Sequence, residues 1–303
     1  MTTVTLASAP SLTPLLARGA ALSPLKRAGA GAPLPETRLV LPAARTDARR
    51  LADYATVCGF PATGPGEPLP LTYPHVLAFP LTMRVMADRR FPLPLLGLVH
   101  TGIDIARHGP ALLPGDRPEL TVYAEELVPH RRGTEVVMVT EARLDGEPVW
   151  VSRSSYLARH RVTGGAADER DGAAGDAPDE RGAAPGPLPA RTEWRLPGDL
   201  GRRYGAASGD RNPIHLHPLT ARLFGFPRAI AHGMWTFARC VAEAEREGGP
   251  SVSAHAEFRA PVLLPATVVH ASRTTGDGTT AFELRTGPRR HLTGETTTRS
   301  PGA

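Results

Sequence analysis

Apolar residues recur at intervals of three to four positions in two long segments, one in each half of the chain. The positions are Phe79, Met83, Val85 and Met86 in the first segment and Met234, Phe237, Ala238 and Val241 in the second. This spacing places the apolar side chains on one face of a helix. The pattern predicts helices over residues 76–88 and 234–245, and we expect Pro80 to delay the start of the first one.

The remaining apolar segments are shorter and are typical of strands. Seven strands are predicted, at residues 119–127, 134–144, 147–159, 252–259, 265–274, 279–286 and 291–299. Asp145-Gly146 and Gly276-Asp277-Gly278 separate neighbouring segments as hairpin turns. An antiparallel sheet around one long helix is the simplest arrangement for each half, which places the chain in the α+β class.

The two halves carry similar motifs in the same order. Tyr54–Gly59 resembles Tyr204–Gly209, which follows it by 150 positions. Pro110–Pro114 resembles Pro261–Pro265, which follows it by 151 positions. Matches in the same order at nearly the same offset indicate an internal repeat. The chain is therefore predicted to contain two copies of one folding unit.

Composition separates the two copies. Residues 164–190 are rich in glycine, alanine, proline and charged residues, and the first large apolar residue in them is Leu188. Such a segment buries too little apolar surface to offset its loss of conformational entropy, so a flexible linker is predicted. We expect a partly ordered segment at 1–35, one folded half at 36–163 and a second folded half at 191–303.

The overall composition excludes several classes of protein. The 303 residues are 41% hydrophobic and 21% charged, with a net charge of +5 and a pI near 9.7. Arginine is scattered rather than interleaved with aromatic residues, so nucleic-acid binding is not expected. No segment approaches the roughly 18 apolar residues of a membrane span, and no signal peptide is expected. The chain has only two cysteines, Cys58 and Cys240. We therefore expect no disulfide framework, and we expect a cytoplasmic location.

Residues 204–234 contain the side chains of an acid–base site. Asp210 and His215 are five positions apart. Pro213 restricts Asn212 to extended conformations, which predicts a turn rather than a helix between the two. An aspartate and a histidine that reach the same substrate can act as an acid and a base.

Gly233 is the predicted start of the second long helix. Its amide N–H then has no acceptor within the helix and lies at the positive end of the helix dipole. Such an amide can stabilise the negative charge that develops on a substrate oxygen during a proton transfer. The spacing of the aspartate, the histidine and this glycine distinguishes them from isolated capping or surface residues.

Neighbouring side chains have simpler interpretations. His215 and His217 form a His-x-His pair, but the sequence around them offers no carboxylate or cysteine cluster to complete a metal site, so no metal is predicted. His217 is expected at the surface. His75 and His100 are expected to be structural residues with satisfied hydrogen bonds, and Tyr204 to pack locally at the border of a pocket.

A longer run of residues resembles a known family. Residues 208–215 read Ser-Gly-Asp-Arg-Asn-Pro-Ile-His, followed by Gly-Phe at 225–226, Ala-His-Gly-Met at 231–234 and Phe-Arg-Ala-Pro-Val-Leu-Leu-Pro at 258–265. This run resembles the MaoC-like, or hydratase-2, family of (R)-specific enoyl-thioester hydratases and dehydratases. The first half, with Leu-Leu-Gly-Leu-Val-His at 95–100, looks like the N-terminal half of actinobacterial two-domain 3-hydroxyacyl-thioester dehydratases.

The resemblance implies a tandem double hotdog, in which an antiparallel sheet wraps a long central helix in each half. It also implies reversible syn addition of water across C2–C3 of an acyl thioester carried on coenzyme A or acyl-carrier protein. Asp210 and His215 become the catalytic pair, Gly233 supplies the oxyanion amide, and Asn212 orders the loop or contacts substrate. No metal or redox cofactor is implied, and the protein is expected as a monomer or a homodimer.

The first half departs from the family pattern. Phe60 stands where the repeat would place Asp210, and no Asn-Pro-x-His sequence follows it. The stretch that leads to the helix is also shorter. We expect this half to have lost its chemistry and to shelter the acyl chain, with Phe79 and Met83 lining the pocket and Tyr204 at its border.

Two further features bear on the choice of function. Many family members carry arginine just before the strand phenylalanine, whereas here Glu257 precedes Phe258 and Arg259 follows it. The charge pattern is therefore altered, and with it the phosphate contact that the resemblance would imply. The alternatives to a hydratase are a hotdog thioesterase and a non-catalytic subunit that binds acyl thioesters. The intact Asp210 and His215 pair disfavours the second of these.

Overall fold

The computed structural model describes residues 2–26, 29, 31–161 and 188–298. Of the predicted linker at 164–190, residues 164–187 lie outside the described residues. The domain boundaries drawn around it stay a prediction.

In this part of the chain, eleven strands and seven α-helices form. The strands are β1 (Thr2–Thr5), β2 (Thr37–Leu41), β3 (Val99–Arg107), β4 (Glu119–His130), β5 (Gly133–Leu144), β6 (Glu147–Arg159), β7 (Ala190–Leu196), β8 (Ser251–Phe258), β9 (Ala266–Thr274), β10 (Thr279–Thr286) and β11 (Arg289–Thr298). The helices are α1 (Leu12–Leu22), α2 (Ala48–Cys58), α3 (Tyr73–Met86), α4 (Leu200–Ser208), α5 (Pro213–Leu216), α6 (Pro218–Arg222) and α7 (Gly233–Gly248). None of the described helices is long and apolar enough to cross a membrane.

All seven predicted strands are present. The remaining strands, β1, β2, β3 and β7, have no counterpart in the sequence-based prediction. The predicted hairpin between β5 and β6 is confirmed, since Asp145 and Gly146 have φ values of 50° and 85°. Two successive left-handed residues form the turn that best suits the twist of a two-residue hairpin.

The eleven described strands form one sheet, in the order β1-β2-β4-β5-β6-β3-β8-β11-β10-β9-β7. From the outer side to the middle of the sheet, the strands of the first half follow the order β2-β4-β5-β6-β3. Those of the second half follow the order β7-β9-β10-β11-β8. These two orders are the same when the strands of each half are numbered separately. The shared topology supports the internal repeat and confirms the predicted α+β tandem double hotdog.

The two halves meet where β3 pairs with β8. The pairing is antiparallel and places Gly102 opposite Glu257 and Asp104 opposite His255. His255 Nδ1 lies 2.7 Å from Asp104 Oδ1 across this seam. Positions 104 and 255 differ by 151, the offset of the sequence repeat, so this pair marks a pseudo-two-fold axis that relates the halves.

Each half packs one long helix against its part of the sheet. α3 contacts β4 and β5, and α7 contacts β8, β9, β10 and β11. The expectation that Pro80 delays the start of α3 is wrong, because the helix begins at Tyr73 and continues through Pro80. The proline removes one backbone hydrogen bond, and burial of its neighbours, such as Val76 and Leu81, offsets this loss.

The shorter helices α2 and α4 pack against each other at the boundary between the halves. Tyr54 on α2 and Tyr204 on α4 occupy equivalent positions in the repeat, and their ring centroids are 6.0 Å apart. Both side chains are buried. Trp235 on α7 adds to this boundary, since its Nε1 donates to the Val57 carbonyl at 2.8 Å. The two halves therefore share one continuous core.

We expect Phe237→Ala to lower the free energy of unfolding by about 3–5 kcal/mol, the usual cost of removing a buried aromatic ring. Phe237 lies on α7 and is 0% exposed. Urea denaturation followed by circular dichroism measures the change. Leu219→Ala is the control, because this side chain is 63% exposed. Equal effects of the two substitutions would contradict the placement of α7 in the core.

Candidate active site

The loop after α4 fixes the position of Asp210. The helix ends at Ser208, and its C-cap is Gly209, whose φ of 85° lies in the left-handed region that favours glycine. Asp210 N then donates to Ser208 Oγ, and Asn212 N donates to Asp210 Oδ1, both at 3.1 Å. These local hydrogen bonds turn the chain sharply and orient the carboxylate.

His215 lies on α5, a single helical turn where a non-helical turn was expected. That expectation is wrong because Pro213 occupies the start of the helix. An N–H at this position would have no acceptor within the helix, so proline loses no hydrogen bond there. Asn212 caps this turn, since its side-chain oxygen accepts from Ile214 N at 3.4 Å. Glycine at position 201 lets α4 approach α5, because a Cβ there would overlap the His215 carbonyl oxygen.

The His215 ring is held in one tautomer. Its Nδ1 lies 2.8 Å from the Ile230 carbonyl oxygen. A carbonyl can only accept, so Nδ1 carries the hydrogen and Nε2 of the neutral ring carries the lone pair. Burial lowers the pKa of His215, although the nearby Asp210 and the Ile230 carbonyl act in the opposite direction. The ring is therefore a neutral proton acceptor.

His232 joins the site, although the sequence pattern assigned it no role. Its ring stacks on the His215 ring, with centroids 3.7 Å apart and planes 26° apart. Its Nε2 lies 2.9 Å from the Asp210 carbonyl oxygen and 3.8 Å from Asp210 Oδ2. Burial, and then the neighbouring His215, hold the pKa of His232 well below its ordinary value. The sequence feature that could have indicated a role for His232 is its position directly before Gly233.

Asp210 is the most exposed member of this group, with 28% of its side chain accessible. Burial raises the pKa of its carboxyl group, and His215 and the Asn212 N–H oppose that rise. A raised aspartate pKa and a lowered histidine pKa bring the proton affinities of the two groups closer together. Matched affinities suit a pair that gives and takes protons from one substrate.

Asp210, His215 and His232 are also side-chain types that bind metal ions, and their ligand atoms lie within 4.8 Å of one another. The geometry does not suit a metal. Nitrogen lone pairs lie in the planes of the imidazole rings, and two stacked rings do not direct them to one point. His215 Nδ1 and His232 Nε2 each face a backbone carbonyl, so the nitrogens left are His215 Nε2 and His232 Nδ1, which belong to these two stacked rings.

α7 begins beside this cluster. His232 is the N-cap and Gly233 is the first helical residue, so the Gly233 N–H lies at the positive end of the helix dipole. A Cβ at position 233 would lie 3.1 Å from the Phe258 ring. Glycine therefore allows the aromatic ring of β8 to pack directly against the start of the helix.

The first half contributes a row of rings next to the site. The His100 ring stacks on Tyr156 with centroids 4.4 Å apart, and it lies 4.8 Å from the Phe258 ring. Burial, and then the charge of Asp210, raise the pKa of Tyr156. Tyr156 on β6 and His100 on β3 therefore bring polar groups of one half close to the carboxylate of the other.

His75 is buried and His100 is half-buried in this row, as expected for structural residues. Burial lowers the pKa of His75 to about 4 and that of His100 to about 3. The prediction of satisfied hydrogen bonds is wrong for one atom. Within the described part of the chain, His100 Nε2 has no hydrogen-bond partner.

The other predicted pocket residues lie at different distances from the cluster. The Tyr204 ring centroid is 4.8 Å from that of His232, so Tyr204 borders the site. Phe79 packs against the hydrophobic core and Met83 is buried within it, both on α3. Their contact with an acyl chain stays a prediction. His217 is exposed, as predicted, and its Nδ1 accepts from the first turn of α6.

Comparison with known proteins identifies the family. Residues 188–291 match the family described as MaoC like domain. The 3-hydroxyacyl-thioester dehydratase X of Mycobacterium tuberculosis is 34% identical over 254 residues, which are 81% of this chain and 86% of that protein. The chain belongs to the MaoC-like dehydratase family. The family resemblance of the Asp210 to Gly233 region is thereby confirmed.

Solved structures of MaoC-like proteins show the same fold. HtdX of Mycobacterium tuberculosis is 31% identical with a TM-score of 0.70, covering 86% of this chain and 98% of that chain. A MaoC-like dehydratase of Phytophthora capsici is 19% identical with a TM-score of 0.68, covering 90% of this chain and 98% of that chain. These matches extend over both halves, whereas the match to the MaoC like domain covers the second half.

Two histidines are expected to titrate in opposite directions in one NMR experiment. Burial lowers the pKa of His215, whereas the hydrogen bond to Asp104 raises that of His255. Ring-proton shifts followed through the pH range should therefore place His215 below, and His255 above, the usual value of about 6.5.

Asp104→Asn is the matched control. It removes the charge beside His255 and should lower the pKa of that histidine while leaving the pKa of His215 unchanged. A His215 that titrates above its usual value would contradict the buried, neutral ring.

Proposed function

We propose that the protein catalyses the reversible hydration of trans-2-enoyl thioesters to (R)-3-hydroxyacyl thioesters. One observation carries the proposal. The Asp210 carboxyl group and the neutral His215 ring are held within reach of one small molecule, beside the first amide of α7. The name of the Mycobacterium tuberculosis relative, a 3-hydroxyacyl-thioester dehydratase, supports the same reaction.

In the direction of dehydration, His215 Nε2 is the base. It removes the C2 proton of the 3-hydroxyacyl thioester, and the electrons of that C–H bond form the C2–C3 double bond. The C3–O bond breaks as Asp210 in its acid form gives a proton to the departing hydroxyl, which leaves as water. Hydration follows the same steps in reverse, with the Asp210 carboxylate activating water and the His215 imidazolium protonating C2.

The oxyanion amide is assigned to Gly233. Removal of the C2 proton places negative charge on the thioester oxygen, and an N–H at the positive end of a helix stabilises that charge. Phe258 packs against this helix start and restricts the space next to the amide. Asn212 acts by capping α5, which holds His215 in place.

The Asp210–His215 pair carries one proton throughout this cycle. Dehydration begins with a protonated aspartate and a neutral histidine, and it ends with a carboxylate and an imidazolium. A proton that returns from His215 to Asp210 restores the first state. Burial brings the two pKa values closer together, which lowers the free-energy cost of that return. The reaction moves protons and water only, so it calls for no electron carrier.

The acyl group is proposed to arrive on coenzyme A or on the phosphopantetheine of a carrier protein. A net charge of +5 favours association with phosphates and acidic partners. Arg259, next to the strand phenylalanine Phe258, forms an ion pair with Glu257. Its charge is therefore partly neutralised, so we assign the phosphate contact to neither residue.

Hydration of crotonyl-coenzyme A, measured as loss of enoyl absorbance, tests the reaction. We expect turnover with this substrate or with a longer trans-2-enoyl thioester, on coenzyme A or carrier protein, and an (R)-3-hydroxyacyl product by chiral chromatography. Release of free coenzyme A without hydration would instead support a thioesterase. Binding without turnover of any of these substrates would support a non-catalytic subunit.

The site assignment is tested separately. Asp210→Asn and His215→Gln should each lower kcat by roughly 10²–10⁴-fold, the usual contribution of a general acid or base. Thermal denaturation checks that each variant is folded. His217→Gln is the matched control on the exposed side of the same loop and should retain activity. Full activity in either site variant would overturn the assignment.

A further inference from the structure

The pseudo-two-fold axis at the β3–β8 seam predicts a counterpart of the active site in the first half. With the offset of 151 residues, Arg107 corresponds to Phe258 and His100 corresponds to Ser251. The matched Tyr-x-x-x-x-Gly motifs place Phe60 where the second half has Asp210. The counterpart site therefore lies near the start of α3 and contains no acid–base pair.

A cavity of about 410 Å³ occupies this position. Volumes of about 300–1,000 Å³ are typical of sites that bind small molecules. Its walls come from the loop before α3, the segment after β3, the start of β6 and the end of α7. The apolar lining includes Phe60, Leu69, Pro74, Leu112, Val149 and Trp150.

The cavity is separate from the Asp210 site. Gly233 begins α7 next to Asp210, whereas Glu245, thirteenth in the same helix, lines the cavity. Twelve residues of α-helix span about 18 Å. A ligand in the cavity therefore occupies different space from a thioester bound at the start of the helix.

The cavity walls are held by hydrogen bonds that do not depend on a ligand. Trp150 Nε1 donates to the Leu71 carbonyl at 2.8 Å, which fixes one apolar wall. Leu69 N donates to the Leu112 carbonyl at 2.7 Å, which joins the loop before α3 to the segment after β3. The shape of the cavity is therefore fixed by the fold itself.

One hydrogen-bond donor of the lining lacks an acceptor, and a second lies beside it. Within the described residues, Arg107 Nε is buried and has no hydrogen-bond partner. Ser251 Oγ is also buried and has Glu245 as its neighbour. Ser251 is 4% exposed. Buried donors without acceptors cost free energy, which an acceptor supplied by a ligand recovers. A guanidinium beside a hydroxyl is matched by the two oxygens of a carboxylate.

We infer that this cavity binds a small carboxylic acid with an apolar tail, such as a medium-chain fatty acid. The carboxylate accepts from Arg107 and Ser251, and the tail lies along the apolar wall that includes Phe60 and Trp150. The inference does not depend on the hydratase reaction, because the Asp210 pair takes no part in it.

Glu245 makes the affinity of this cavity for a carboxylate depend on pH. Its Oε1 accepts from Ser251 N at 3.2 Å. Burial raises the pKa of Glu245 to about 7, while hydrogen bonding with Ser251 and then the charge of Arg107 oppose the rise. The charged groups that line the cavity with it are Arg107 on β3 and Glu67 in the loop before α3. Below its pKa Glu245 is neutral and does not repel a bound carboxylate, so affinity should fall as the pH rises through about 7.

Isothermal titration calorimetry of the whole protein with octanoate tests the inference. We expect one saturable site for octanoate. Octanamide, which has the same tail without the charge, should bind at least roughly tenfold more weakly than octanoate. Equal affinity for the two probes, or no saturable binding of octanoate, would overturn the inference.

Substitutions locate the site. Arg107→Leu should weaken octanoate binding by roughly tenfold or more, whereas Arg89→Leu, at an exposed position outside the cavity lining, should not. Ala111→Trp fills the cavity and should abolish binding even if the arginine variant folds poorly. Glu245→Gln should remove the fall in affinity at higher pH, because the amide stays neutral.

The same variants separate this site from the active site. Octanoate affinity should be unchanged by Asp210→Asn. Binding that Asp210→Asn weakens, and that Arg107→Leu and Ala111→Trp leave intact, would place octanoate in the active site and overturn the inference. Absence of hydratase activity in the wild-type protein would refute the proposed function alone.

Discussion

The antiparallel pairing of β3 with β8 is the constraint on which the rest of the structure depends. It joins two five-strand units, and the β1 strand beside the first, into one sheet. It also fixes the register, so that residues 151 positions apart become symmetry mates. Because the seam is antiparallel, the end of each central strand reaches the other half. Phe258 thereby meets His100, and Arg107 comes close to Ser251.

The two halves use this shared geometry differently. In the second half, a capped single-turn helix and a carbonyl acceptor hold His215 neutral next to Asp210. In the first half, Phe60 replaces the carboxylate and the loop before the helix is shorter. In the space that remains there, Arg107 and Ser251 stand at the positions that correspond to Phe258 and His100. The scaffold is thus present twice and the aspartate–histidine pair once.

The parts of the fold that could be predicted are local. Asp210 and Gly233 belong to one short stretch of sequence, and the strand alternation and the hairpin turns are read from neighbouring residues. The missed features depend on distant contacts. β3 contains Gly102 and polar residues that interrupt its pattern, and its pairing partner lies 151 positions away. Pro80 stays within a helix because tertiary packing outweighs one lost hydrogen bond. The approach of His100 to the site follows only from the seam.

The position of β3 also has a consequence for synthesis of the chain. This strand is interior in the complete sheet, yet more than a hundred residues separate it from β8. At usual rates of translation, its unpaired edge waits on the order of ten seconds for that partner. An unpaired edge is a template for strands of other molecules. Because the partner is part of the same chain, the rate of correct pairing does not depend on protein concentration, whereas the competing pairing with other molecules becomes faster as the concentration rises.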